Sequence, residues 1–240
     1  MTDRDRDQAV FLYDTFMALD GKWRENVVLQ TKTGPFDFQT HEPVQSLFGA
    51  LKHTNLIMEV ELSQTFTGQA RHLCHLPSQW ASYLRFDTNK YGAGWPLGRV
   101  LGAASCRYCG LAGVGNLFEA SAPDGQPAWT ISVFGQANTF GFGRLAWDPL
   151  ADVVSTTREW AQLTWQTVAA QHTVVDMLAT SWEAYENYTS PLGLGYVVDA
   201  LWHYWMDPNG WRGTGKPPDN GFGGGFNATG RRFGFNRSIT

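Results

Sequence analysis

Two strand-like runs with a loop and a short helical stretch between them decide the architecture open to this chain. Asn26-Val27-Val28-Leu29-Gln30-Thr31 is an apolar, β-branched run of the kind buried in parallel sheets. The loop Thr33-Gly34-Pro35-Phe36-Asp37 follows it, and a helical stretch from about Pro43 to Leu51 carries the chain back. From Leu56 to Gln64 the apolar Leu56, Met58, Val60 and Leu62 alternate with polar partners, which predicts a second strand with Thr65 at its C-terminal end. Strand, loop, helix, strand is a βαβ unit, and its two strands run parallel.

The flanking segments extend this pattern. Val10, Tyr13, Asp14 and Met17 recur at helical spacing beside Phe11 and Phe16, so the chain opens inside an amphipathic helix that Leu19-Asp20-Gly21 stops. Pro77-Ser78-Gln79-Trp80-Ala81 starts another helix that runs to about Leu84, and Gly110 to Asn116 reads as a third buried strand weakened by its glycines. After Asp148-Pro149 the character changes. Thr156-Thr157-Arg158-Glu159 has capping-box spacing, with Trp160, Leu163, Thr164 and Val168 on one helical face. Val174, Val175, Leu178, Trp182 and Tyr185 mark a second helix, stopped at Ser190-Pro191-Leu192-Gly193. An α/β part over residues 1–150 thus gives way to an α-helical part over 151–240, whose end from Asp207 onward is rich in Gly, Pro, Asn and Arg without a period and reads as loop or tail.

Composition narrows the function classes. A chain of 240 residues that is 43% hydrophobic and 17% charged, with 11 Trp, 15 Phe and 8 Tyr, has a core, which excludes disorder and coiled coil. The formal net charge is −4 with no basic stripe, so nucleic acid is not an expected partner. No apolar stretch approaches the roughly 18 residues of a membrane span, and Met1 to Asp7 has no signal-peptide character, so no membrane partner is expected and a cytoplasmic location is favoured over a secreted one. Of Cys74, Cys106 and Cys109, the last two form a lone CxxC without a second pair, so all three are expected to be buried or idle thiols. No G-x-G-x-x-G or P-loop follows a strand, which leaves a nucleotide site without support.

In parallel α/β folds the reactive groups gather beyond the C-terminal ends of the strands. That places Lys32, Asp37, His41 and Glu42 after the first strand and Thr65 after the second. A carboxylate beside a Lys suits general-base work on a polar, anionic substrate, and equally suits capping of the next helix. Asn116 and Gln136-Ala137-Asn138 offer amides near other strand ends that are expected to fix loops, and His203 in Trp202-His203-Tyr204-Trp205 is expected to pack. The surplus of Trp and Tyr suits sugar rings as well as a core.

Several segments together resemble the catalytic region of glycoside hydrolase family 67, the α-glucuronidases. They are Leu19-Asp20-Gly21-Lys22 with Asn26 through Asp37, Glu42-Pro43-Val44 with Leu47-Phe48-Gly49, Thr67-Gly68-Gln69 with His72-Leu73-Cys74, Gln136-Ala137-Asn138 with Gly141 through Pro149, and Tyr185 through Gly193. They occur in the family's order, and His203-Tyr204 and Gly234 through Arg237 are looser matches to its later motifs. The resemblance implies a partial TIM (β/α)8 barrel, its C-terminal half, followed by an α-helical region. It also implies removal of (4-O-methyl-)glucuronic acid from xylan-derived oligosaccharides by inversion, with no metal or cofactor. Inversion needs an acid and a base roughly 6.5–9.5 Å apart. By the resemblance Lys32 binds the uronate and Asp37 is the general base, whereas Thr65 stands where the family has its second carboxylate. The family's general acid lies N-terminal to the matched segment, so the chain is expected to be a fragment of such an enzyme. Self-association, if it occurs, is expected through the C-terminal helical region. The alternatives are a non-catalytic carbohydrate-binding or vestigial homologue, and more remotely an oxidoreductase of another α/β type.

Overall fold

The computed structural model describes residues 8–34, 38, 42–64, 67, 72–103, 106–115 and 133–189. Helix α1 (Gln8–Met17) leads into strand β1 (Val28–Lys32), the short helix α2 (Leu47–Ala50) and strand β2 (Asn55–Glu61). Helices α3 (Leu76–Arg85) and α4 (Leu97–Leu101), strand β3 (Gly110–Val114), and helices α5 (Val133–Trp147), α6 (Val153–Thr164) and α7 (Val168–Thr189) follow. The three strands form one parallel sheet in the order β1-β2-β3, so the expected α/β unit and its third, glycine-bearing strand are present.

Strand β2 explains which face the helices cover. Leu56, Met58 and Val60 are buried while Asn55, Ile57, Glu59 and Glu61 between them are half-buried, as a period of two requires. The buried face packs on Leu47 and Phe48 of α2, Leu76, Trp80 and Leu84 of α3, and Leu97 and Leu101 of α4. Leu145 of α5 and Tyr185 of α7 complete this core. A second cluster joins Ala137 of α5, Trp160 and Ala161 of α6, and Val174, Val175 and Leu178 of α7. The long aromatic and aliphatic side chains of the helical part are thus shared between two cores, each buried Leu contributing about 2 kcal/mol of transfer free energy.

Several expectations need correction. The helix expected from Pro43 shrinks to four residues, because the Gln45 amide donates to the Thr33 carbonyl at 2.8 Å and keeps residues 42–45 tied to the exit of β1. Helix α5 was not expected at all: glycines at 135, 141 and 143 dilute the helical signal in Val133–Trp147. Helix α6 starts at Val153, not at a Thr156 capping box. Its cap is Asp152, whose carboxylate accepts from the Ser155 amide at 2.8 Å, and Thr156 and Thr157 are buried inside the helix. Leu163 and Val168 are 77% and 63% exposed and do not share the inward face of Trp160. Cys106 and Cys109, expected to be idle thiols, are joined as a disulfide beside the start of β3, whereas Cys74 is a free, buried thiol as expected. The residue-207 tail, His203-Tyr204, Gly234 through Arg237 and Asn116 lie outside the described residues.

Candidate functional site

Register decides what the second face of the sheet presents. Lys32 is the last residue of β1 and is the Cα partner of Glu59, while Gln30 pairs with Ile57 and Glu59 with Ala112. Partners in a parallel sheet point to the same side, so Gln30, Lys32, Glu59 and Glu61 share the face opposite Leu56, Met58 and Val60. The Gln30 amide donates to the Glu59 carboxylate, and the Ser63 hydroxyl donates to Glu61 at 3.4 Å. Glu61 stands two residues beyond Glu59, about 7 Å nearer the C-terminal edge. The ammonium of Lys32 lies 4.8 Å from the centroid of the Phe38 ring. Among the described residues this polar face thus sets Lys32 beside the carboxylates of Glu59 and Glu61. Sequence reasoning found the Lys but passed over both Glu residues, because the alternation in β2 marked them only as the polar partners of a buried face.

Of the other expected site residues, Asp37, Thr65 and His41 lie outside the described residues. Glu42 is described and buried, and it packs against Gly34, where any Cβ would collide with the Glu42 side chain. Glycine is required there by that close approach. The buried Tyr83 phenol of α3 is hydrogen-bonded by the Glu42 backbone and the Thr33 side chain, and burial, reinforced by the Glu42 charge, pushes its pKa well above the ordinary tyrosine value. The exit of β1 is thus held to α3 by a buried polar contact that the sequence did not announce.

The segment after β2 is fixed by two buried amides. Gln64 donates to the carbonyls of Thr67 and His72, each at 3.1 Å. Asn138 accepts from the Leu76 amide at 3.0 Å and donates to the Cys74 carbonyl at 3.3 Å and to the Gln64 side chain at 3.4 Å. Asn138 sits on helix α5 rather than at a strand end, yet it does fix the loop, as expected of that amide. Just beyond, His72 meets the Tyr188 hydroxyl at 2.8 Å and the Tyr185 ring edge-on at 5.5 Å. Burial pushes the Tyr188 phenol up to about 12. Two separate motifs, Thr67 through Cys74 and Tyr185 through Tyr188, are therefore in contact on the same side of the sheet.

His75 caps the start of α3 and is buried where α3, α6 and α7 meet. Its amide donates to Ser181 at 3.0 Å, and its ring lies 3.3 Å from the Ser78 hydroxyl and 3.4 Å from that of Thr157. Burial lowers its pKa to about 4, so the ring is neutral at pH 7. That makes it a structural histidine. Among the described residues no three His, Cys, Asp or Glu side chains gather as metal ligands, and no helix is long and apolar enough to cross a membrane.

A cavity of about 470 Å³ lies at the opposite, N-terminal edge of the strands, lined by Asp20, Trp23, Arg24 and His53 among others. The Asp20 carboxylate there accepts from the Lys52 and His53 amides at 2.8 and 3.1 Å and from the Thr54 hydroxyl at 2.8 Å. Burial alone would raise its pKa, but the hydrogen bonds from Lys52, Thr54 and His53 outweigh that and hold the carboxylate ionised, while in parallel α/β sheets reactive groups gather at the other edge.

Comparison with known proteins identifies the lineage of this edge. Residues 1–122 match the family model described as the glycosyl hydrolase family 67 middle domain, and residues 130–240 match the glycosyl hydrolase family 67 C-terminus. The chain is 37% identical over 226 residues to the probable alpha-glucuronidase A of Aspergillus niger, covering 88% of this chain and 25% of that protein. It is 37% identical to alpha-glucuronidase A of Aspergillus tubingensis with the same coverage, and 34% identical to the alpha-glucuronidase of Hypocrea jecorina across 100% of this chain and 27% of that protein. The chain spans about a quarter of the length of the curated relatives it matches. With the family's middle domain and C-terminus matched in order along it, the chain belongs to glycosyl hydrolase family 67.

Proposed function

We propose that this chain carries part of the glycone site of an α-glucuronidase, which removes (4-O-methyl-)glucuronic acid from glucuronoxylan-derived oligosaccharides with inversion. The observation that carries the reading is the polar face of the sheet, where Lys32 and two carboxylates rise to the C-terminal edge. Three consecutive parallel strands with helices on one face and polar side chains on the other suit a wall of a (β/α)8 barrel over residues 1–150 with helices α6 and α7 in a following region over 151–240.

In this reading the Lys32 ammonium pairs with the uronate carboxylate, fixing the sugar at the edge. Asp37, five residues on in the loop after β1, takes a proton from the attacking water as general base. Thr65 has no carboxylate to share that task, and Glu61, the last residue of β2 and four positions earlier in sequence, is the group we place there instead. A carboxylate beside the base raises the proton affinity of one of the pair, which tunes the base toward neutral pH.

The test is release of glucuronic acid from an aldouronic acid by the chain combined with the N-terminal part of a family 67 enzyme, which supplies the general acid. Asp37→Asn removes activity by about a hundredfold or more, Lys32→Gln raises KM with a smaller effect on kcat, and Glu61→Gln lowers kcat and is rescued in part by Thr65→Glu. No release even in that combination, with aldouronic acid still bound, would instead support a carbohydrate-binding homologue, the reading that the Thr at position 65 favours.

A further inference from the structure

The N-terminal edge, opposite the proposed glycone site, carries three cations gathered on two aromatic rings. The Lys52 and Lys90 ammonium groups lie 5.6 and 5.5 Å from the centroid of Tyr91, and the Arg99 guanidinium lies 4.1 Å from that of Trp95. Tyr91 and Trp95 pack edge to face at 4.9 Å, and Tyr91 is 50% exposed. The loop that presents them is built in advance. The Asp87 carboxylate accepts from the amides of Asn89, Gly94 and Trp95 at 2.9, 2.7 and 3.2 Å, and Gly92 and Gly94 take φ of 103° and 85° that other residues rarely adopt.

Two carboxylates, Asp20 and Asp87, lie among these three cations, so the patch keeps one positive charge in excess. Among the described residues no carboxylate forms an ion pair with Lys52, Lys90 or Arg99, and Asp87 is committed to backbone donors. Lys52 spends two of its three protons on the carbonyls of Gly49 and Lys90, at 3.1 and 2.6 Å, which draws it toward Lys90. Partial burial, together with the charge of Lys52, lowers the Lys90 pKa against the opposing pull of Asp20. A carboxylate that entered between the two ammonium groups would relieve their repulsion. The cavity of about 470 Å³ lies beside the patch, lined by His53, next in sequence to Lys52, and by Arg24, Asp20, Glu25 and the 43% exposed Trp23.

We propose that this edge is a second carbohydrate-binding surface, one that takes the carboxylates of a uronic-acid-bearing polysaccharide while its rings contact the sugar. The assignment rests on the glycoside hydrolase reading for the choice of polysaccharide. Lys90, Arg99 and Lys52 supply directional donors to carboxylates, and Tyr91, Trp95 and Trp23 supply flat apolar area beside them. A polysaccharide held here keeps side-chain uronates in supply without occupying the opposite edge.

The test is affinity electrophoresis in soluble glucuronoxylan and in the same polysaccharide with its uronates reduced to alcohols. The unaltered chain should be retarded by the native polymer and much less by the reduced one. The double variant Lys90→Gln, Arg99→Gln should raise the apparent Kd for the native polymer about fivefold, the loss of two exposed charge contacts. Unfolding midpoints of the variant and the unaltered chain should lie close together, since Arg99 is exposed and Gln at position 90 keeps most of the half-buried Lys90 stem. Lys32→Gln should leave most of the retardation in place, while impairing release of glucuronic acid if the hydrolase reading holds. Equal retardation by native and reduced polymer, no change in the double variant, or retardation abolished by Lys32→Gln would each overturn the proposal.

Discussion

At the scale of residues, His75 shows how burial alone sets a protonation state. Its ring has hydroxyls for partners and no room for solvent, and its pKa falls to about 4 from an ordinary 6.5. Between those values the unfolded chain binds a proton that the folded one does not, so stability rises with pH across this window and is lost as the pH falls through it. Urea unfolding at pH 7 and pH 5 should show the unaltered chain losing about 2 kcal/mol more than His75→Gln. Equal losses would mean that the ring is hydrated. The sequence carried no sign of this, because the surroundings of His75 come from α6 and α7, some eighty to a hundred residues further along. Lys32 was legible for the opposite reason: its position follows from strand length and the local run Val28 to Thr31 alone. Glu59 and Glu61 needed the register with β1 before they could be seen to share a face with Lys32.

At the scale of elements, what the sequence made plain were the segments with a strong period. Strand β2 alternates cleanly, and α7 repeats Val174, Val175, Leu178 and Tyr185 on one buried face. Helix α5 was hidden by its glycines, and each has its own reason. A Cβ on Gly141 would run into the ring of Pro77 at the start of α3, so the glycine lets the two helices approach closely. Gly143 faces open space. The two predict opposite outcomes from one substitution: Gly141→Ala should destabilise by about 1–2 kcal/mol despite the better helix propensity of Ala, and Gly143→Ala should stabilise by up to about 1 kcal/mol. Thermal unfolding of the pair checks it, and a stabilised Gly141→Ala would show that α3 and α5 are less closely packed. The misread start of α6 has a similar lesson. Asp152 and Thr156 are both cap residues by type, and only the bond from the Ser155 amide tells which one is used.

At the scale of the whole molecule, the two edges of the sheet differ in character. Among the described residues the C-terminal edge sets Lys32 beside carboxylates, which suits the proposed glycone site, and the N-terminal edge sets cations against aromatic rings, which suits the proposed binding surface. Family membership was legible because five motifs occur in order along the chain, and the structure adds that the Thr67 to Cys74 and Tyr185 to Tyr188 motifs touch through His72. The central claim is that the C-terminal edge serves an inverting α-glucuronidase reaction. Proton NMR of an aldouronic acid mixed with the chain and with the N-terminal part of a family 67 enzyme, which supplies the general acid, tests it most directly, because it reads both release and stereochemistry. The account predicts that β-glucuronic acid appears first and then mutarotates, and that Asp37→Asn suppresses the signal. Glucuronic acid released first as the α-anomer, or no release at all, would contradict it.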